Sequence, residues 1–190
     1  MARPRKFDEG EVLGCAMTAF WRAGFEATTY RGLESETGVG LRSLHNAFGE
    51  KEALFARALD LYRDSAEAVL DQVFDPPGTD GLIALFQGMA APLPADDVRN
   101  SGCLMVNTVF ERADPPAEIA ERVAGYRAMF RDRMKACLDA DGIPEADARA
   151  EFLMGLLWGM LSQIRLARDT TAAAPMAAIA VQTIQGWRAG

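Results

Sequence analysis

Nowhere in the chain does apolar and polar character alternate for long enough to make a strand, whereas apolar residues recur at helical spacing along nearly its whole length. That single feature predicts an all-α fold. Punctuation by Gly, Pro and capping residues divides it into about nine helices. The first begins after Asp8, an N-cap residue, and runs to about residue 22. It carries Val12, Cys15, Ala16, Ala19 and Phe20 on one face, and Gly24 closes it. Thr28 is the next candidate cap and opens a short helix, 28–36. A turn over 37–40, a second short helix over 41–48 and a long helix over 51–74 follow. Asp75-Pro76-Pro77-Gly78 then breaks the chain before a helix at 79–91. Further helices are predicted at 101–112, 117–140, 145–168 and 175–188, and no segment repeats at a fixed period.

The pair of short helices around Gly38 has the dimensions of a helix-turn-helix, in which the second helix enters the major groove of DNA. Gly38 supplies the positive φ that the turn needs, and Ala27, Leu33, Val39 and Leu44 are the apolar positions expected to hold the pair together. Arg42, Ser43, His45 and Asn46 would then point outward, and all four can reach base edges or phosphates.

The net charge of −7 speaks against nucleic acid only until the chain is split. Residues 1–63 hold nine Lys/Arg and nine Asp/Glu, so the acidic excess lies entirely in 64–190. Arg3, Arg5 and Lys6 form an acid-free basic tip, and local field matters more than total charge. The longest apolar run, 152–161, is half the ~20 residues that a membrane span needs, so no membrane contact is expected. The basic tip is followed by Asp8 and Glu9 rather than an apolar stretch, so no signal peptide is expected and the chain reads as cytoplasmic. One histidine and three scattered cysteines leave little for a metal site, and no cofactor is expected.

The stretch Gly24-Phe25-Glu26-Ala27-Thr28-Thr29, the turn Gly38-Val39-Gly40, and Leu44 with 48–55 (Phe-Gly-Glu-Lys-Glu-Ala-Leu-Phe) resemble the N-terminal domain of TetR-family transcriptional regulators. The pattern covers residues 8–55 in order and spacing. The segment Gly102-Cys103-Leu104-Met105-Val106-Asn107-Thr108 resembles a branch of that family with a cysteine at this place. The resemblance implies a DNA-binding domain over 1–50 and a ligand-binding and dimerisation domain over 51–190, with helix 51–74 joining the two. It implies phosphate contacts at Thr28 and Thr29 and at Lys51, all at helix starts, where free N–H groups and the dipole suit an anion. It also makes helix 41–48 the reader. His45-Asn46-Ala47 depart from the family's usual aromatics before the Phe, so the phosphate grip would lean on Arg42, His45 and the basic arm.

In the remaining two-thirds, Phe152, Leu153, Leu156, Met160 and Ile164 form one stripe, and Met176, Ile179, Ala180, Thr183 and Trp187 another. In TetR-like proteins the last two helices pair with their copies, and Leu156, Met160, Ile179, Thr183 and Trp187 are the expected homodimer contacts. Phe86, Met89, Cys103, Asn107, Phe110, Phe130, Met134, Met154 and Trp158 would suit an adaptable pocket for a small-molecule effector, although each also suits a plain core. If Ser101 caps its helix, Cys103 lies in the first turn beside Asn107 and Phe110, where the dipole would favour a thiolate. That opens the alternative of a redox- or electrophile-sensing regulator. Cys15 and Cys137 read as packing residues.

Other classes find less support. Gly-x-Ser-x-Gly, His-Glu-x-x-His and phosphate-loop motifs are all missing, so no enzyme is expected. Gly38-Val39-Gly40 has Ser43 where a dinucleotide fingerprint needs its third Gly, and Asp139-Ala140-Asp141-Gly142 lacks most ligands of a calcium loop. A helical adaptor that binds protein and no DNA remains an alternative. The leading expectation is a ligand-responsive repressor that binds a palindromic operator as a dimer and is released by a small molecule.

Overall fold

The computed structural model describes residues 7–112 and 114–189, so the basic arm residues Arg3, Arg5 and Lys6 lie outside it. Among the described residues there are nine α-helices and no strand, as the spacing predicts. They are α1 (Glu9–Ala23), α2 (Tyr30–Thr37), α3 (Leu41–Phe48), α4 (Lys51–Val73), α5 (Thr79–Met89), α6 (Leu104–Glu111), α7 (Ala117–Ala140), α8 (Ala146–Ala167) and α9 (Ala174–Ala189).

Local chemistry accounts for the first helix. The Asp8 carboxylate accepts the Gly10 and Glu11 N–H groups at 2.7 and 3.1 Å, and Glu9 and Glu11 sit favourably at the positive end of the helix. Val12, Ala16 and Phe20, each four residues apart, are buried against α4. There Phe20 and Phe25 close on Phe55, with ring centroids 4.9 and 5.0 Å apart, so the N-terminal core is built around three aromatic rings. Cys15 is exposed, and Ala27 lies outside the helix-turn-helix core. Both differ from expectation: the buried face of α1 is narrower than the run of apolar residues that marks it.

The C-terminal helices form a second packed layer. α7 lies along α8, α5 along α9, and α4 connects this layer to α1. Ion pairs line the α7 flanks: Arg122 to Asp60 at 2.9 Å, Arg133 to Glu67 and Asp71, and Arg131 to Asp147 and Glu151. Their carboxylates are largely in solvent and the arginines about a quarter exposed, so each is worth about 0–1 kcal/mol and selects a register more than it adds stability. The supposed calcium-loop residue Asp141 is occupied otherwise: its carboxylate caps α5, accepting the Thr79 N–H at 2.9 Å and hydroxyl at 2.5 Å.

Two glycines allow the layers to meet. Gly102 (φ 79°) sits against the carbonyl of Leu161 on α8, where an added Cβ would lie 2.7 Å from that oxygen. Its place in the loop before α6 presses Cys103 into the core. Gly24 (φ 90°, ψ 172°) ends α1 and carries the side chain of Glu111, from the far end of α6, directly over its Cα.

Candidate DNA-reading helix and effector cavity

The helix-turn-helix expected from the sequence is present. α2 and α3 are joined by Gly38 in the left-handed conformation, and Leu33, Leu44 and Phe48 are buried beneath them. On α3 the side chains of Arg42, Ser43, His45 and Asn46 are all exposed, as their spacing predicts. Glu34 fixes the start of α3 by accepting the Leu41 N–H at 3.1 Å.

The phosphate-contact expectations fare unevenly. Thr29, not Thr28, caps α2: its hydroxyl accepts the Gly32 N–H at 3.0 Å. Thr28 is buried, and its hydroxyl donates to the Gly24 carbonyl at 2.8 Å. It therefore fastens the α1–α2 joint and presents almost no surface to solvent. Two adjacent threonines satisfy the same capping pattern, and only the path of the chain separates them. Lys51 does open α4. Its ammonium donates to the Phe25 carbonyl at 3.0 Å and lies 4.2 Å from the Phe25 ring centroid, so part of its charge is already used inside the protein. Tyr30 adds a contact that helical spacing does not signal. Its ring stacks on His45 with centroids 4.2 Å apart, and its hydroxyl donates to the Gly49 carbonyl at 2.6 Å. An aromatic from α2 thus orients the reader-helix histidine, next to the positions where α3 itself lacks aromatics.

A cavity of about 480 Å³ opens between the layers, a size suited to a small organic molecule. Met89, Cys103, Phe130, Met154 and Trp158 line it, as expected. Four expected residues do not. Phe86 and Met134 are packed in solid core. Asn107 turns away, donating to the Ser101 carbonyl at 2.9 Å. Phe110 is 68% exposed on the outer surface. Helical spacing placed these residues on the right helices but could not say which side of each helix faces the void. The missed wall residues include Met17 and Trp21 from α1, and Tyr62 and Tyr126 from α4 and α7.

Cys103 is the N-cap of α6 rather than a first-turn residue, and Ser101 belongs to a preceding 3-10 turn (Val98–Ser101). Burial pushes the thiol pKa up. Contacts from the Tyr62 and Tyr126 side chains and the Val106 and Met105 backbone pull the other way but do not outweigh it. Desolvation opposes the dipole-activated thiolate of the sensor alternative: Cys103 is 1% exposed, and its thiol donates to the Tyr126 hydroxyl at 3.7 Å. Burial also raises the phenols of Tyr62 and Tyr126 well above their ordinary value, so this polar cluster is neutral throughout the physiological range.

The dimer-contact expectations split in the same way. Ile179 is 57% exposed, and Leu156, Thr183 and Trp187 are partly exposed. Met160 is fully buried within the protomer and is corrected to a core residue. Phe152, half exposed and 6.2 Å from the Trp187 ring, joins the outer face in its place. No helix among the described residues is long and apolar enough to cross a membrane.

Residues 12–58 match the family model described as bacterial regulatory proteins, tetR family. The chain is 30% identical over 195 residues to the HTH-type transcriptional repressor ComR of Escherichia coli K12, covering 97% of this chain and 91% of that protein. Its fold matches a TetR transcriptional regulator from Legionella pneumophila with a TM-score of 0.81 at 18% identity, over 95% of this chain and 99% of that one. It also matches a cysteine mutant of the TetR-family regulator CifR, solved with 26-base-pair double-stranded operator DNA. That likeness has a TM-score of 0.76 at 25% identity and covers 97% of this chain and all of the other.

Proposed function

Because the chain belongs to the TetR family of bacterial transcriptional regulators, we propose that it is a ligand-responsive repressor that binds a palindromic operator as a homodimer. The observation that carries the reading is the reader helix itself. Leu44 and Phe48 anchor one side of α3 in the core, and Arg42, Ser43, His45 and Asn46 are exposed on the other, His45 with one ring face against Tyr30. Arg42 and Asn46 are the bidentate readers, toward guanine and adenine respectively. Ser43, His45, Thr29, the start of α4 at Lys51 and the basic arm hold the phosphates. In this reading residues 1–50 bind DNA, and residues 51–190 dimerise and take the effector, with α4 belonging to both. The outer face of α8 and α9, around Leu156, Ile179, Thr183 and Trp187, joins two protomers so that two α3 helices meet successive major grooves.

The end of α1 is the handle by which the second unit would control the first. Arg165 donates to the Trp21 carbonyl at 3.1 Å and Arg168 to the Arg22 carbonyl at 3.2 Å. Glu111 accepts the Phe25 N–H at 3.1 Å and pairs with Arg165 at 2.9 Å. An effector acts only if it binds the two arrangements of this clasp with different affinity.

The test is the salt dependence of duplex binding. Wild type should lose affinity steeply with salt. Lys51→Ala should weaken all duplexes alike and flatten the log–log slope by about one unit, while Arg42→Ala should relax preference at one base position at about 1–3 kcal/mol. A chain whose duplex binding is absent or insensitive to salt would be a protein-binding adaptor instead.

A further inference from the structure

The effector cavity is unusual in its wall. Four aromatic rings run across it without a break: Trp21 meets Tyr62 at 4.8 Å, Tyr62 meets Tyr126 at 5.8 Å, and Tyr126 meets Phe130 at 4.9 Å between centroids. Among the described residues, the wall holds one side chain that is charged at neutral pH, Arg99. Its Nε and Nη2 donate to the Asp97 carboxylate at 2.9 and 2.6 Å, which offsets its charge. No acid lines the space to balance a cation, and no free cation balances an anion. An ionised ligand would therefore lie in the cavity uncompensated, at a cost its apolar contacts would have to overcome. The Ser65 and Thr170 hydroxyls on the wall already donate to the Leu61 and Ala91 carbonyls, which leaves the neutral cluster of Tyr62, Tyr126 and Cys103, suited to one hydroxyl or carbonyl oxygen on an otherwise apolar molecule.

One of the four rings belongs to the DNA-binding unit. The Trp21 indole N–H donates to the Gly102 carbonyl at 2.9 Å, next to Cys103, and the Trp21 carbonyl is held by Arg165. Gly24 and Phe25, which lead into α2, follow within one helical turn. We propose that the cavity takes a neutral, flat ring compound bearing a single oxygen function, and that it seats against Trp21, so that the ligand touches the DNA-binding unit directly. This deepens the repressor reading and rests on it. Entry of the ring competes with the Trp21–Gly102 bond and loosens the end of α1, which changes the seat of α2 and α3.

The full-length chain is titrated calorimetrically with 2-naphthol, 2-naphthoate and 2-naphthylmethylamine, the last cationic at neutral pH. The neutral phenol should bind, and both ions at least about tenfold more weakly, because each buries an unpaired charge. Hydrogen–deuterium exchange at residues 22–29 should rise when 2-naphthol binds. Trp21→Phe keeps a ring but removes the N–H, so its exchange there should be high before ligand is added and change little afterwards. Phe110→Leu, on the outer surface and off the cavity wall, should keep the full response. Equal or tighter binding of either ion, or no binding of the phenol, overturns the ligand class. A normal exchange response in Trp21→Phe overturns the role of Trp21. Should Trp21→Phe not fold, the ranking of the three ligands on wild type still decides the class. Operator binding by the ligand-free chain is measured separately, so failure here leaves the repressor reading standing.

Discussion

Gly24→Ala tests the clasp between the two units most sharply. The backbone there, at φ 90° and ψ 172°, is a region that residues with a Cβ essentially do not enter, at a cost of about 1–3 kcal/mol. The new methyl would also lie 2.7 Å from the carboxyl carbon of Glu111, forcing that side chain off the Phe25 N–H and away from Arg165. Glu111 is partly exposed and can swing into water, so this second loss is about 1 kcal/mol, below the range for a buried charge-assisted bond. Together the change should cost about 2–4 kcal/mol, or roughly 4–16 °C in Tm for a chain of this length. Urea unfolding followed by circular dichroism measures it, and a double-mutant cycle separates the parts. In a Glu111→Ala background only the backbone cost remains, so the two substitutions should together cost about 1 kcal/mol less than their sum. Additivity within about 0.5 kcal/mol would mean that Glu111 does not rest on Gly24, and the clasp would lose its central contact.

Ile179→Glu should dissociate the dimer by placing a carboxylate on each side of the two-fold axis. Sedimentation would show this, and a variant that sediments as wild type moves the interface elsewhere. Iodoacetamide should alkylate Cys15 well before Cys103 and Cys137, as peptide mass spectrometry would show. Early labelling of Cys103 would restore the thiol-sensor alternative. The Arg99 guanidinium and N–H hold the Asp97 carboxyl down to about 2. Because this pKa is lowered on folding, the stabilisation is complete above about pH 4 and is lost as pH falls toward 2. Asp97→Asn should remove that part of the acid dependence of stability, and an unchanged profile would show that the pair does not form in solution.

The elements were more legible in the sequence than the sides they present. The bounds of α3 and α7 follow from the Gly turn, the Asp114-Pro115-Pro116 break and the closing Asp141-Gly142, since backbone punctuation is local. Face assignments depend on partners far along the chain. Helix α8 is apolar around most of its circumference between residues 152 and 161, so spacing alone cannot tell Met160, buried, from Phe152, exposed. Thr28 and Thr29 are equivalent caps until Gly24 turns the chain. Cys103 looks activated when only its helix is considered, and its surroundings reverse the sign. The C-terminal helices do not enclose the cavity by themselves: α1 belongs to the DNA-binding unit yet supplies Met17 and Trp21 to the wall, a contribution that only the packing of the chain reveals.

The central claim, a two-fold reader of DNA built on α3, is tested most directly by selecting binders to the full-length chain from a pool of random duplexes. A palindrome whose half-sites are about one helical turn apart, or a multiple of it, should be enriched and bound by an even number of chains. Arg42→Ala and Asn46→Ala should each relax symmetry-related positions in both halves. Failure to enrich any sequence, or enrichment of a site without two-fold symmetry bound by one chain, would contradict it.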